Sequence, residues 1–187
     1  MLDQMNSIVL DCGFWQMKIG FSGDESPWYM ERSLIGYSKN KAITSSGENW
    51  EILIGEKIIE KNNFLDVCDC FDVNGNFYHN RMEILINEMY YDKMCLDSTA
   101  FPILFTVSPF FTEKIRSELA ANFFETFKVP SVYHMVSNTG GILAEGKSSG
   151  LVLDSGYAGS YTMSIFEGLP VEDQLMSSKQ GGKNFSL

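Results

Sequence analysis

Val9-Leu10-Asp11-Cys12-Gly13-Phe14 recurs, nearly unchanged, as Val152-Leu153-Asp154-Ser155-Gly156-Tyr157. Each copy is an apolar run that ends in aspartate, followed by a small residue, a glycine and an aromatic, before a second run begins. An apolar run broken by a glycine turn reads as a strand and its returning partner. An aspartate at the end of such a strand sets a carboxylate beside several backbone N–H groups at one sheet edge. Those N–H groups can cradle phosphate oxygens while the carboxylate holds a hydrated Mg²⁺ opposite them. Two facing copies would clamp a triphosphate, whereas either copy alone reads more simply as a strand-ending turn.

The remainder of the chain supplies a scaffold for this device. Ser7 to Cys12, Gln16 to Phe21 and Trp28 to Ser33 are expected as three strands of an antiparallel meander. Lys39 to Asn49 is polar and contains Ser45-Ser46-Gly47, the composition of a mobile loop, and Glu51 to Ile54 follows as a short strand. Met82, Leu85, Ile86, Met89 and Tyr90 recur at spacings of three and four, which predicts a half-buried helix over 80–94. Pro102 to Val107 reads as a buried strand. Thr112 is placed to cap a helix carrying Ile115, Leu119, Phe123 and Phe127 on one face, stopped at Val129-Pro130. A strand at Ser131 to Val136, a short helix from Ser137 and a final hairpin from Gly150 through Ile165 complete the order. The predicted class is α/β, a mixed sheet with helices on its faces.

Composition narrows the function. Twenty-four acidic residues against 14 basic ones give a net charge of −10, a field that repels nucleic acid phosphates and anionic membrane surfaces. No apolar run approaches the roughly 20 residues of a membrane-spanning helix, and no basic start followed by an apolar stretch marks a secretory signal. Neither direct nucleic acid binding nor membrane insertion is expected. Cys68 and Cys70 form an isolated C-x-C, short of the roughly four ligands of a zinc site, so all four cysteines read as free thiols. His79 and His134 read as packing or surface residues. The stretch holding Asp66, Asp69 and Asp72 reads as a solvated loop, since the closing glutamate of a calcium loop is missing. The cluster Phe105, Phe110, Phe111, Phe123, Phe124 and Phe127 reads as core.

The run from Val9 to Pro27 resembles the first phosphate hairpin of actins and actin-related proteins, with Asp11, Gly13, Lys18, Gly20, Phe21, Gly23, Asp24 and Pro27 in register. Ile54-Gly55-Glu56, Pro102 to Pro109, Phe123 to Phe127 with Val129-Pro130, and Gly150 to Gly156 with Ile165 to Gly168 resemble later motifs of that family in the same order. The resemblance implies an actin-like, ribonuclease H-like mixed five-stranded sheet with flanking helices. It implies a first large lobe from residues 1–32 and 70–187, with residues 33–69 as a small inserted lobe. It implies ATP or ADP with Mg²⁺ as ligand, held by Asp11, Gly13, Lys18, Asp154, Ser155 and Gly156, the metal lying water-mediated between Asp11 and Asp154. The likeness runs out after Gly181-Gly182-Lys183, so the second large lobe is expected to be absent, as in a partial chain or an isoform, leaving an apolar patch exposed.

Several positions depart from the family pattern. Phe14 and Trp15 stand where the first turn has small residues, and large side chains there obstruct a phosphate unless they turn away from the cleft. Tyr157-Ala158 replaces the family's Asp-Gly in the second turn. Ser137 stands where the glutamine that orients the attacking water is expected, and Tyr161 replaces a histidine; serine is too short for that positioning role. A confident catalytic residue is therefore lacking, and ATP binding is expected to be weakened or lost. The expected function is a non-catalytic interaction or scaffold subunit of a cytoskeletal or nuclear assembly, with actin or other actin-related subunits as partners. An ATP-binding filament protein, here as a partial chain, is the alternative. A sugar or acetate kinase on the same kind of sheet ranks last, because those enzymes lack the paired G-F-S-G-D and I-F-E-G runs.

Overall fold

A computed structural model describes residues 6–39, 52–72 and 76–185, the side chains of Lys61 and Asn62 excepted. The loop expected at 39–49 lies, beyond Lys39, outside the described residues, as does Glu51. The chain opens with β1 (Ile8–Cys12), β2 (Gln16–Phe21) and β3 (Tyr29–Arg32), then β4 (Leu34–Ser38), β5 (Ile52–Ile54), the short helix α1 (Lys57–Lys61) and β6 (Leu65–Asp69). Helix α2 (His79–Asn87) continues into a π-helical turn over Glu88–Lys93, followed by β7 (Ile103–Val107), α3 (Glu113–Glu125), β8 (Val132–Val136) and α4 (Ser137–Ala144). Strands β9 (Gly150–Ser155), β10 (Ser160–Phe166), β11 (Leu169–Pro170) and β12 (Met176–Ser178) precede the terminal turn α5 (Gly182–Phe185).

The main sheet has five strands in the order β3-β2-β1-β7-β8. β1 to β3 form an antiparallel meander, while β7 joins β1 and β8 joins β7 in parallel, so the sheet is mixed. β1 sits at its centre. Its period-two pattern buries Ile8, Leu10 and Cys12, and Asp11 falls between them near the C-terminal end. The parallel steps need helical crossovers, which is why α3 lies between β7 and β8. Thr112 caps α3 as the sequence predicts, its Oγ1 accepting from the Ile115 N–H at 3.4 Å. Phe105, Phe111, Phe123 and Phe127 fill the core, but Phe110 and Phe124 do not; both are exposed.

Two further sheets flank the first. β4 pairs with β5 and with β6, both antiparallel, making a three-stranded sheet. Asp66 and Asp69, expected in a loop, therefore lie on a strand. β6 is an edge of that sheet, and charged outward side chains are how an edge strand avoids further pairing. β9 does not join the main sheet but pairs with β10, which also pairs with β11 and β12. Ile165 and Phe166 face Pro170 and Leu169 across Glu167-Gly168, whose φ angles of 50° and 80° mark the tight, right-twisted hairpin turn. The two aspartate-tipped strands are thus the inner strand of one sheet and an outer strand of another.

Candidate nucleotide cleft

Strand register builds the surroundings of Asp11. Its partner on β2 is Lys18 and its partner on β7 is Thr106, so each neighbouring strand supplies one side chain to one carboxylate oxygen. Lys18 Nζ donates to Oδ2 at 3.1 Å, and the Thr106 hydroxyl donates to Oδ1. The turn that follows is tight. A Cβ on Gly13 would stand 2.4 Å from the Gln16 carbonyl oxygen, and the Gly13 carbonyl in turn accepts the Ser33 hydroxyl at 2.6 Å. Cys12, behind this turn, is buried, and burial first and the Asp11 charge second push its thiol far up from its ordinary range.

Asp154 is built by the same logic on the second hairpin. It lies opposite Tyr161 in the β9–β10 register, and the Tyr161 hydroxyl donates to its Oδ2 at 2.7 Å. The Ser137 hydroxyl, at the start of α4, shares a hydrogen bond of 3.1 Å with the same phenol. Burial dominates the upward shift of the Tyr161 phenol, with the Ser137 hydrogen bond opposing it and Asp154 and Asp11 adding to it. Tyr161 therefore stays protonated and keeps donating. Asp154 has no cationic partner among the described residues.

The two hairpins enclose one cavity of about 270 Å³, lined by Asp11, Gly13, Lys18, Ser137, Asp154, Gly156 and Tyr161 among others. All but one of the expected ligand residues are brought together. Ser155 is the exception: strand alternation turns it to the opposite face of its sheet, where it bonds the Ser160 hydroxyl at 2.8 Å. Gly156 lines the cavity, yet its N–H donates to the Gly159 carbonyl within its own turn at 3.0 Å and is not directed at a ligand.

The bulky residues of the first turn behave differently from one another. Phe14 lines the cavity but commits its ring to a stack on Phe71, with ring centroids 4.3 Å apart, and against Phe111 at 6.3 Å. Trp15 spans the two hairpins, meeting the Tyr157 ring at 4.5 Å while Arg32 lies over its own ring at 3.3 Å. Phe110, expected in the core, instead lines the cavity edge-on to Tyr161 at 5.3 Å. A feature not read from the sequence closes the second turn from outside. Gly182 and Lys183 donate their N–H groups to the carbonyls of Gly156 and Tyr157 at 2.9 and 3.0 Å. A Cβ on Gly181 would meet backbone atoms of Gly156, Tyr157 and Gly159 within 2.8 Å, so this close approach requires glycine. Gly181-Gly182 packs on the second turn, a role that only contact between distant segments reveals.

The cysteines are free thiols, and no group of three or more His, Cys, Asp or Glu side chains suited to a metal ion occurs among the described residues. No described helix is long and apolar enough to cross a membrane. The class is a mixed α/β scaffold in which two aspartate-tipped hairpins face one cavity. Residues 2–187 match the family model described as Actin, and the chain belongs to the actin family.

Proposed function

We propose that this actin-family chain is a non-catalytic interaction subunit of a cytoskeletal or nuclear assembly, with ATP binding weakened or lost. The observation that carries the reading is the contact between Trp15 and Tyr157, which joins the two turns directly at 4.5 Å. In the family's arrangement the phosphates of a nucleotide lie between those turns and link them; here two rings make the link. The carboxylates are already engaged as well: Lys18 and Thr106 occupy both oxygens of Asp11, and Tyr161 holds Asp154. A hydrated Mg²⁺ between Asp11 and Asp154 would compete with all three. With Ser137 bonded to Tyr161 and directed away from water positioning, these residues fit neither a Mg²⁺-triphosphate nor its hydrolysis well.

On this reading residues 1–32 and 70–187 form the family's first large lobe, of ribonuclease H-like type, and 33–69 its small inserted lobe. The partners are proteins, actin or other actin-related subunits, in the cytoplasm and cytoskeleton or alternatively in the nucleus. Titration calorimetry of the purified chain with ATP and Mg²⁺ tests the proposal. No heat of binding is expected at nucleotide concentrations up to about 1 mM, where a site of Kd near 1 mM holds only about 4 kcal/mol. Micromolar binding with Mg²⁺-dependent phosphate release would overturn it. The second reading, an ATP-binding filament protein, is favoured by one observation: Asp11, Lys18 and Asp154 do line a single cavity. That reading predicts nucleotide-dependent polymer in the pellet after sedimentation.

A further inference from the structure

Where the three-stranded sheet meets the start of α2, the surface dips into an open hollow of about 590 Å³ lined by Tyr37, Cys68, Tyr78, His79, Asn80 and Arg81. Its chemistry is one-sided: every one of these side chains can donate a hydrogen bond and none is a carboxylate, in a chain with 24 acidic residues. Tyr37 of β4 faces Asp66 of β6, and Cys68 follows two positions on, on the same face. Asp66 itself pairs with Lys39 at 3.9 Å and does not line the hollow. Arg81 is held in place. Its Nη1 donates to the Asp69 carbonyl at 2.8 Å, and its guanidinium lies over the Tyr78 ring, 4.2 Å from the centroid. Neither partner is an anion, so the two contacts fix the guanidinium plane and leave its charge uncompensated. The hydroxyls of Tyr37 and Tyr78 and the Asn80 amide have no hydrogen-bond partner among the described residues, whereas His79 Nε2 stands 3.5 Å from Glu118.

We propose that this hollow is a binding site for an aryl phosphate, with the phosphate against Arg81 and the ring among the Tyr37 and Tyr78 side chains. A fixed guanidinium presents a fork of N–H groups that matches two oxygens of one anion, and fixing it in advance removes the cost of ordering a long side chain. Two phenols and an amide add further donors, more than the two oxygens of a carboxylate need. A phosphate monoester supplies three strong acceptor oxygens. The hollow is also much larger than a phosphate ion, in the size range of sites that enclose a small organic group, and its two tyrosine rings offer faces and edges to another aromatic. The chain's net charge of −10 opposes any anion, which holds the affinity to a modest level while the contacts at Arg81 act at short range. None of the six residues lines the aspartate cavity, so the site does not depend on whether nucleotide binds there.

Titrating the isotope-labelled 187-residue chain with phenyl phosphate and following its backbone amide resonances tests this. Saturable shifts are expected at Cys68 and at Tyr78 to Arg81, with a Kd on the order of 0.1–1 mM and no matching change at Asp11 to Gly13. Inorganic phosphate should bind several-fold more weakly, and phenol should produce no saturable shift up to about 10 mM. Arg81→Gln should weaken phenyl phosphate by at least about tenfold. Because that change also removes the bond to the Asp69 carbonyl, Tyr37→Phe serves as the second variant; it keeps the ring, loses one donor and should weaken binding about fivefold. A tyrosine-phosphorylated peptide distinguishes the source of the group. Binding tighter than phenyl phosphate assigns the site to a segment of a protein partner, and weaker binding assigns it to a free aryl phosphate; either supports the chemistry. Absence of any saturable shift by about 10 mM phenyl phosphate overturns the proposal. So do shifts confined to the aspartate cavity, equal affinity for inorganic phosphate, or Arg81→Gln and Tyr37→Phe chains that titrate as the wild type does.

Discussion

Trp15 holds Arg32 over its ring at 3.3 Å and rests against Tyr157 at 4.5 Å, so one half-exposed side chain ties β3 to both hairpin turns. A guanidinium over an indole contributes about 0.5–1 kcal/mol at such a site, and an aromatic pair about 0.5–1.5 kcal/mol beyond its buried area. Trp15→Ala is therefore expected to lower the unfolding free energy by about 1–2 kcal/mol, and Tyr157→Ala by about 1 kcal/mol. Because the rings touch, the double variant should lose less than the sum, with a coupling of about 0.5–1 kcal/mol by urea denaturation. Strict additivity would mean that the two turns are not joined through these rings. Phe14, its neighbour, shows how differently adjacent bulky residues are used: its ring belongs to the Phe71 and Phe111 stack and does not reach across to the second turn's Tyr157. Asp11 and Asp154 are likewise similar in sequence and different in surroundings, the first paired to a lysine and the second only to neutral hydroxyl chemistry.

Between elements, Glu31 is the clearest link. It is 7% exposed on β3, its Oε1 accepts the Glu56 N–H at 3.0 Å, and Lys93 from the π-helical turn lies 3.4 Å from Oε2. Gly55 admits it: a Cβ there would stand 1.6 Å from the carboxylate. One side chain thus anchors the turn after β5 and the end of the α2 segment to the main sheet. Glu31→Ala leaves a part-buried donor and a partly buried cation without their partner, and should cost about 1–2 kcal/mol in chemical denaturation. A loss under about 0.5 kcal/mol would show that the anchor is not needed. Nothing in the local sequence marks Glu31, because its partners lie 25 and 62 positions away. The same reason separates what was legible from what was not. β1, β2, β7 and the Thr112 cap follow from period-two alternation, glycine turns and one hydroxyl, all local signals, and the repeated Asp-x-Gly device placed both carboxylates in one cavity. β4 and β6 escaped because their pairing spans some thirty residues and β6 reads as polar, while Phe110 and Ser155 were misplaced because composition and spacing do not state which way a side chain turns.

At the scale of the whole molecule, and apart from the Glu31–Lys93 pair, the buried groups whose titration is shifted among the described residues are thiols and phenols held neutral. Cys12, Cys70, Tyr90 and Tyr161 are all shifted upward, and burial is the first cause for each. For Cys70 the shift is from 9.0 to about 12, with Arg81 opposing it and Asp69 and Cys68 adding to it. A group whose proton is held more tightly in the folded state stabilises fully below its unfolded value and loses that contribution as pH rises to the folded one. For Cys70 the window runs from about 9 to about 12, and the tyrosines enter it from about 10 upward. Each such group gives a slope of about −1.4 kcal/mol per pH unit within its window, so several acting together should unfold the chain steeply in alkali. Its net charge of −10 adds self-repulsion in the same direction. Urea midpoints are expected to be flat between about pH 7 and 8.5 and to fall progressively above about pH 9. Cys70→Val, which fills similar space without a thiol, should flatten that fall by about 1.4 kcal/mol per pH unit between about pH 9.5 and 11 while leaving tryptophan fluorescence at neutral pH unchanged. If the wild-type stability is level through pH 11, or if Cys70→Val falls as steeply as wild type, the buried thiol carries no such linkage and the alkaline weakness lies elsewhere in the core.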